Sequence, residues 1–225
     1  KSAVYRLPVE ANAFENFGNI NLLEKGVGLT LFEKEAAAGK EKLYWVMPVI
    51  REQMWEKLDE HEKEKTHGIA LKWYDEYLED KEIIPYHREA LYHALAVNEI
   101  DLAAKHVIPI GNELNSWLSY KEQKKILESV ISLLSEKVIE DAKKDKNQHI
   151  TSLLNQYGNL LADLGDAKAA VEYYKKALEI DLAVFGDKHP NVAARYNNLG
   201  AAYKELGDAK AAVEYYKKAL EIDLA

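Results

Sequence analysis

From residue 145 onward, apolar and polar positions alternate with a period that suits a helix. Ala193, Tyr196, Leu199, Gly200 and Tyr203 recur at three- and four-residue steps, one side of a 3.6-residue helix. Gly207-Asp208 then interrupts the stripe. Gly reaches the positive φ of a helix end, and Asp caps the helix that follows. A second stripe runs through Ala212, Tyr216, Ala219, Leu220 and Ile222. The spacing therefore predicts a hairpin of two helices. Its small Ala side chains allow close approach, and its Tyr rings fill the space between neighbouring pairs. One such pair cannot bury its own apolar side, but stacked pairs can.

The chain contains this unit twice. LGDAKAAVEYYKKALEIDLA occupies 164–183 and again 206–225, and DKNQHITSLLNQYGNLLADLG (145–165) aligns with DKHPNVAARYNNLGAAYKELG (187–207). The period is 42 throughout, which makes 145–183 and 187–225 two copies of one unit. Packing demands similar residues, not identical ones, so the twenty unchanged positions indicate recent duplication, or an array homogenised or edited by design. The second copy ends with apolar Leu220 and Leu224 and no polar capping helix. The expectation is a longer array, or another chain covering this end.

The slots Tyr196, Leu199-Gly200, Tyr203, Ala212, Tyr216 and Ala219 resemble the tetratricopeptide repeat. In the first copy the same slots hold Leu154, Tyr157-Gly158, Leu161, Ala170, Tyr174 and Ala177. The 42-residue length and the linker FGDKHPNVA (185–193) look like the kinesin light chain-type subfamily. Of Tyr173 and Tyr174, and likewise of Tyr215 and Tyr216, one should be core and the other a partly exposed neighbour.

Upstream the pattern is less regular. REALYHALAVNEIDLAAKHVI (88–108) reads as a decayed unit, with Asn98-Glu99 in place of Gly-Asp, ended by Pro109 and Gly111. Residues 120–144 read as one long amphipathic helix with Ile126, Val130, Leu133, Leu134 and Val138 on one side. HEKEKTHGIALKWYDEYLED (61–80) reads as another helix, carrying Ile69, Leu71, Trp73, Tyr74 and Leu78.

The first sixty residues change character. AFENFGNINLLEKG (13–26) predicts a short helix, GLTLFEKE (28–35) a strand, AAAGK (36–40) a turn, KLYWVMP (42–48) a second strand and VIREQMWEKL (49–58) a helix. This succession is similar to the tail of the winged helix of STAND signal-transduction ATPases, the NB-ARC-like group. The resemblance implies an upstream nucleotide-binding domain and a downstream repeat array acting as sensor. The family's nucleotide-facing His would fall at Met47, before Pro48, and methionine donates no hydrogen bond to phosphate. The chain opens at Lys1, which fits a segment preceding it. GVG (26–28) lacks the Gly-Lys-Ser/Thr of a phosphate loop and reads as a turn.

The expected fold class is thus mostly α: an α-α superhelix of tetratricopeptide repeats, preceded by a partial winged-helix domain with a small β-hairpin. The expected division is 1–60 partial winged helix, 61–144 irregular helical hairpins and 145–225 two repeats.

Composition narrows the chemistry. The 225 residues are 48% hydrophobic and 30% charged, which suits a chain with a core. Cysteine is absent, which excludes disulfides and thiolate zinc and is compatible with a reducing compartment. The expected localisation is cytoplasmic. No apolar run approaches a membrane span of roughly 20 residues. The net charge of −8 weighs against duplex DNA as partner. The candidate recognition helix of the winged-helix reading, ANAFENFGNINLLEK (11–25), carries one Lys against two Glu and no Arg, so a packing role is preferred to DNA reading. His61 and His67 are six apart, as are His87 and His93, which puts each pair on opposite helix faces. Neither forms the i, i+4 pair of a zinc helix, and both read as parts of solvated helices. No catalytic residue, metal or cofactor is expected in this segment.

Binding is expected on the first helix of each repeat, which lines the inner groove in the resembled family. The inward positions carried over are Asn155, Asn159 and Asp163 in the first copy, and Asn197, Ala201 and Lys204 in the second, with Asn198 beside them. Asn amides donate to and accept from an extended peptide backbone. The Lys/Asn set that grips a chaperone's C-terminal carboxylate is not present. Expected partners are a protein or extended peptide in the groove, an upstream NTPase domain, and self-association through the uncapped last repeat. A winged-helix transcription regulator with a repeat sensor, or an engineered repeat protein, are the alternatives.

Overall fold

The computed structural model describes residues 4–17, 25–27, 29, 31–36, 42–144 and 148–224. The chain forms two compact units, residues 1–99 and 100–225.

The first unit runs β1 (Val9–Glu10), a 3-10 helix (Ala11–Phe17), β2 (Phe32–Ala36), β3 (Lys42–Val46), α1 (Pro48–Glu56), α2 (Glu60–Tyr77) and α3 (Ile84–Ala96). The strands form an antiparallel sheet in the order β1-β3-β2, with Val9 opposite Tyr44 and Phe32 opposite Val46. β3 turns Tyr44 and Val46 inward, as the two-residue period requires. Pro48 starts α1 at its first turn, where a missing N–H costs nothing. Asp59 caps α2 by accepting from the Glu62 backbone N–H at 2.7 Å. The core centres on Tyr5, met edge-on by Phe14, Phe17, Trp73 and Tyr74 at centroid separations of 5.3 to 5.9 Å. Its hydroxyl donates to the Ala13 carbonyl at 2.8 Å.

The strand expected from residue 28 begins instead at Phe32. The reason is a turn: the N–H groups of Leu29 and Leu31 both donate to the Gly26 carbonyl, at 3.2 and 2.9 Å. Leu29 and Leu31 are exposed. Of the helix expected over 13–26, residues 18–24 lie outside the described residues, as do 37–41 of the expected hairpin turn.

The second unit runs α4 (Ile100–Ser116), α5 (Tyr120–Ile131), α6 (Glu136–Lys144), α7 (Gln148–Asp163), α8 (Ala167–Phe185), α9 (Pro190–Glu205) and α10 (Ala209–Asp223). Each of α4/α5, α7/α8 and α9/α10 is a packed hairpin; α4 also packs on α7, and α8 on α9. The two 42-residue copies are therefore the hairpins α7/α8 and α9/α10. Asp166 and Asp208 cap α8 and α10, accepting from Ala169 and Ala211 N–H, each at 3.0 Å.

The hairpin turns share one device. Gly165 (φ 81°) and Gly207 (φ 79°) adopt the left-handed conformation. Around each, the N–H two residues beyond the helix cap and the N–H before it fold back onto the last turn: Asp166 to Leu161 and Gly165 to Ala162, Asp208 to Tyr203 and Gly207 to Lys204. This is the Schellman closure. Asn98 (φ 56°) and Leu118 (φ 55°) make the same two bonds without being glycine.

Two expectations upstream of the repeats need correction. Pro109 and Gly111 do not end a helix; both lie inside α4. Gly111 faces α7, where a Cβ would meet the amide end of the Gln156 side chain at 2.7 Å. The single helix expected over 120–144 is two, α5 and α6. Ser135 supplies the break: its Oγ accepts from the Val138 N–H at 3.3 Å and starts α6 afresh. The fold of α6 back onto α8 is fastened by Lys143, which reaches Glu179 at 2.5 Å.

Candidate functional site

The first helices of the repeats, α7 and α9, each carry a polar stripe opposite their buried one. On α7 the buried positions include Ile150, Leu153, Leu154, Tyr157 and Leu161; Asn159 and Asp163 are exposed and Asn155 is half-buried. On α9 the buried positions include Val192, Ala193, Leu199 and Ala202. Asn197, Ala201 and Lys204 are exposed there, and Asn198 is half-buried.

The structure brings two of the expected residues together. Asn198 Nδ2 donates to Asn155 Oδ1 at 2.7 Å, bridging the two copies along this stripe. The bond uses one N–H of Asn198 and one lone pair of Asn155, which leaves the Asn198 carbonyl and the Asn155 NH2 for other partners. Asn159 is partly committed, because its Oδ1 accepts from the Tyr174 hydroxyl at 2.8 Å. Asp163, Asn197 and Lys204 stand apart on the surface. The stripe continues onto α4, where Gln156 Nε2 donates to the Ile108 carbonyl at 3.1 Å and to Asn112 Oδ1 at 2.5 Å.

The tyrosines divide as their slots require in the first copy. Tyr174 is buried against Gly158, while Tyr173 is half-buried and meets Tyr157 edge-on at 4.8 Å. In the second copy Tyr215 stacks on Tyr203 at 5.3 Å, and Tyr216, seated over Gly200, stays 38% exposed.

Sequence reading missed the polar link between the copies. Arg195 Nε donates to Asp181 Oδ2 at 2.9 Å, and Thr151 Oγ1 donates to the other carboxylate oxygen at 3.0 Å. All three side chains are buried. The signal existed, since Arg195 sits within a run of inward positions, but Asp181 reads as a solvated residue of a charged helix.

The histidines also depart from expectation. His61 is exposed, but His67, His87 and His93 are buried, not solvated. His67 and His93 face each other, Nδ1 to Nδ1, at 2.8 Å, with His93 stacked on Tyr74. Aromatic neighbours outweigh the polar sequence context here. Burial, then the His67 ring, then Arg6 push the His93 pKa down to about 3. Burial and Arg6 lower His67 as well. Both rings are therefore neutral at pH 7 and share one hydrogen bond. His67 also lines a cavity of about 160 Å³ with Val4, Arg6, Arg51, Glu52, Trp55 and Tyr92. Arg6 is fixed by Glu89 at 2.8 Å and lies 3.7 Å over the Tyr92 ring.

Among the described residues no three His, Asp or Glu side chains converge as a metal site. No helix among them is long and apolar enough to cross a membrane.

Comparison with known proteins bears on the repeats. Residues 149–225 match the tetratricopeptide repeat family. A search of curated proteins returns no match. Among solved structures, BtubC (BKLC) from P. vanneervenii aligns with 70% of this chain at 20% identity and a TM-score of 0.53. This chain spans 61% of that protein's length. MamA aligns with 74% of this chain and 95% of its own, at 20% identity and a TM-score of 0.42. The nearly identical TPR-like repeats of a Podosopora anserina protein assigned to the kinesin light chains align with 95% of this chain and 91% of their own. There the identity is 12% and the TM-score 0.47. The C-terminal third is thus built of tetratricopeptide repeats on a mostly helical frame, an architecture of protein–protein interaction scaffolds.

Proposed function

We propose that this chain is the non-catalytic sensor and scaffold region of a cytoplasmic STAND-type NTPase, and that it binds a protein or extended peptide along the α7/α9 stripe. The observation that carries the binding role is the Asn155–Asn198 bridge between exposed Asn159, Asp163, Asn197 and Lys204. It lines up amides with spare donors and acceptors on two stacked repeats, as recognition of an extended backbone requires. The NTPase context rests on the first unit. Its sheet order, β1-β3-β2, with helical turns between β1 and β2, supports the winged-helix reading. On this reading, 1–60 is a partial winged helix, 61–144 are irregular hairpins and 145–225 are the sensing repeats.

The test is selection of extended peptides from a random library displayed on phage, followed by affinity measurement on variants. Selected peptides should lose at least about tenfold on Asn155→Ala and Asn198→Ala, and nothing on Lys168→Ala at the opposite surface. Peptides indifferent to both Asn substitutions would overturn the groove assignment. The isolated chain should show no ATP binding by calorimetry; measurable affinity counts against the NTPase-tail reading.

A further inference from the structure

We propose that the cavity bounded by α1, His67 and Tyr92 is a binding site for a small free amino acid with an apolar side chain. Its carboxylate goes to Arg51, its ammonium to Glu52 and its side chain to the aromatic floor. The cavity measures about 160 Å³, below the roughly 300 Å³ at which sites for drug-sized molecules begin. That sets the scale at an amino acid rather than a nucleotide. All of its lining residues belong to the first unit. The floor is aromatic: the His67 ring meets Trp55 edge-on at 5.0 Å and Tyr92 at 5.3 Å, and Val4 adds an aliphatic side.

The charges at this floor are unanswered. α1 places Arg51 and Trp55 one turn apart on one face, with Glu52 beside them, and all three line the cavity. Arg51 and Glu52 are adjacent in sequence yet do not pair. Among the described residues neither side chain makes an ion pair or hydrogen bond, and the Trp55 indole N–H is unbonded as well. Arg6 is different: Glu89 holds its Nε at 2.8 Å and its guanidinium lies 3.7 Å over the Tyr92 ring. One open cation and one open anion therefore share the cavity. A simple anion would meet Arg51 and be repelled by Glu52, and a simple cation the reverse. A molecule with both charges on one carbon satisfies the two together. Arg51 offers a planar fork that takes a carboxylate through two parallel N–H bonds, and Trp55 offers a further donor. An apolar side chain then covers the rings, which gain by leaving water. α1 itself holds no buried residue among its nine, so a ligand at this face would fasten the helix to α2 and α3. The site does not depend on the function proposed for the repeats.

The test is calorimetric titration of the full 225-residue chain with L-leucine and with its two halves. The halves are 4-methylpentanoate, which lacks the ammonium, and 3-methylbutylamine, which lacks the carboxylate. Leucine should bind saturably and each half at least about tenfold more weakly, the loss expected with a hydrogen bond to a charged group. Glu52→Gln should reduce leucine to the level of 4-methylpentanoate and leave that acid unweakened. Arg51→Gln should weaken leucine and 4-methylpentanoate alike and leave the amine unweakened. Neither side chain is part of the core, so both variants should keep the fold, which far-UV circular dichroism checks. Amide exchange across 48–56 should slow when leucine is bound. The proposal is overturned by no saturation at millimolar leucine, or by binding that ignores both substitutions. It is overturned equally by 4-methylpentanoate binding as tightly as leucine, or by inorganic phosphate displacing leucine at equal concentration, since either result makes this a plain anion site.

Discussion

Arg195 of the second repeat donates to Asp181 of the first across 2.9 Å, with both side chains buried. Stacked repeats usually hold by apolar contact, but here a charged pair fixes the register, and Thr151 satisfies the second carboxylate oxygen. Removing one member strands the other without water. Arg195→Met should therefore cost about 3–5 kcal/mol, read as a lower urea midpoint. The double substitution Arg195→Met with Asp181→Leu should recover much of that loss, because no lone charge remains.

The duplicated sequence offers a second comparison. A Cβ on Gly158 would lie 2.6 Å from the Tyr174 ring, and one on Gly200 would lie 2.7 Å from Tyr216. The collisions are alike, but Tyr174 is enclosed by α9 while Tyr216 is 38% exposed and free to swing aside. Gly158→Ala should destabilise by about 1–3 kcal/mol. Gly200→Ala should be near neutral, because a displaced Tyr216 is offset by roughly 1 kcal/mol of helix propensity. Equal losses in thermal melts of the two variants would refute the explanation by enclosure.

Leu118 holds a left-handed backbone (φ 55°) with its side chain 71% exposed. The conformation costs a non-glycine residue about 1–2 kcal/mol, and little packing repays it. Leu118→Gly should raise stability by up to about 1 kcal/mol after the entropy of glycine is subtracted. Leu118→Val should lower it. Urea denaturation of both variants checks the sign.

The His93 pKa is depressed in the fold, to about 3 from an ordinary 6.5. Above pH 6.5 the ring is neutral folded or unfolded, and the full stability is present. As pH falls from 6.5 toward 3, the unfolded chain takes a proton that the folded one refuses. Stability then drops by up to about 1.4 kcal/mol per pH unit from this one group. The lowered His67 adds in the same direction. Urea midpoints should fall between pH 7 and pH 5, and His93→Gln should flatten that fall while lowering the pH 7 value.

The sequence by itself determined the repeats. Period, stripe and the Gly-Asp turns are local, and a local pattern survives into the fold because each hairpin needs only its neighbour. It also named the helix faces carrying Asn155, Asn159, Asp163, Asn197, Asn198 and Lys204. Tertiary structure alone decided the rest. Asp181 and Asp223 sit in identical sequence, yet one is buried on Arg195 and the other open, because burial belongs to the neighbour and not to the residue. His67 and His93 looked solvated and became core because Tyr74, Tyr92 and Trp55 converge on them from separate helices. Pro109 and Gly111 looked like a stop but lie inside α4, where Gln156 of α7 reaches Gly111. Each of these reversals turns on a contact distant in the chain, and a periodic pattern holds no record of such contacts.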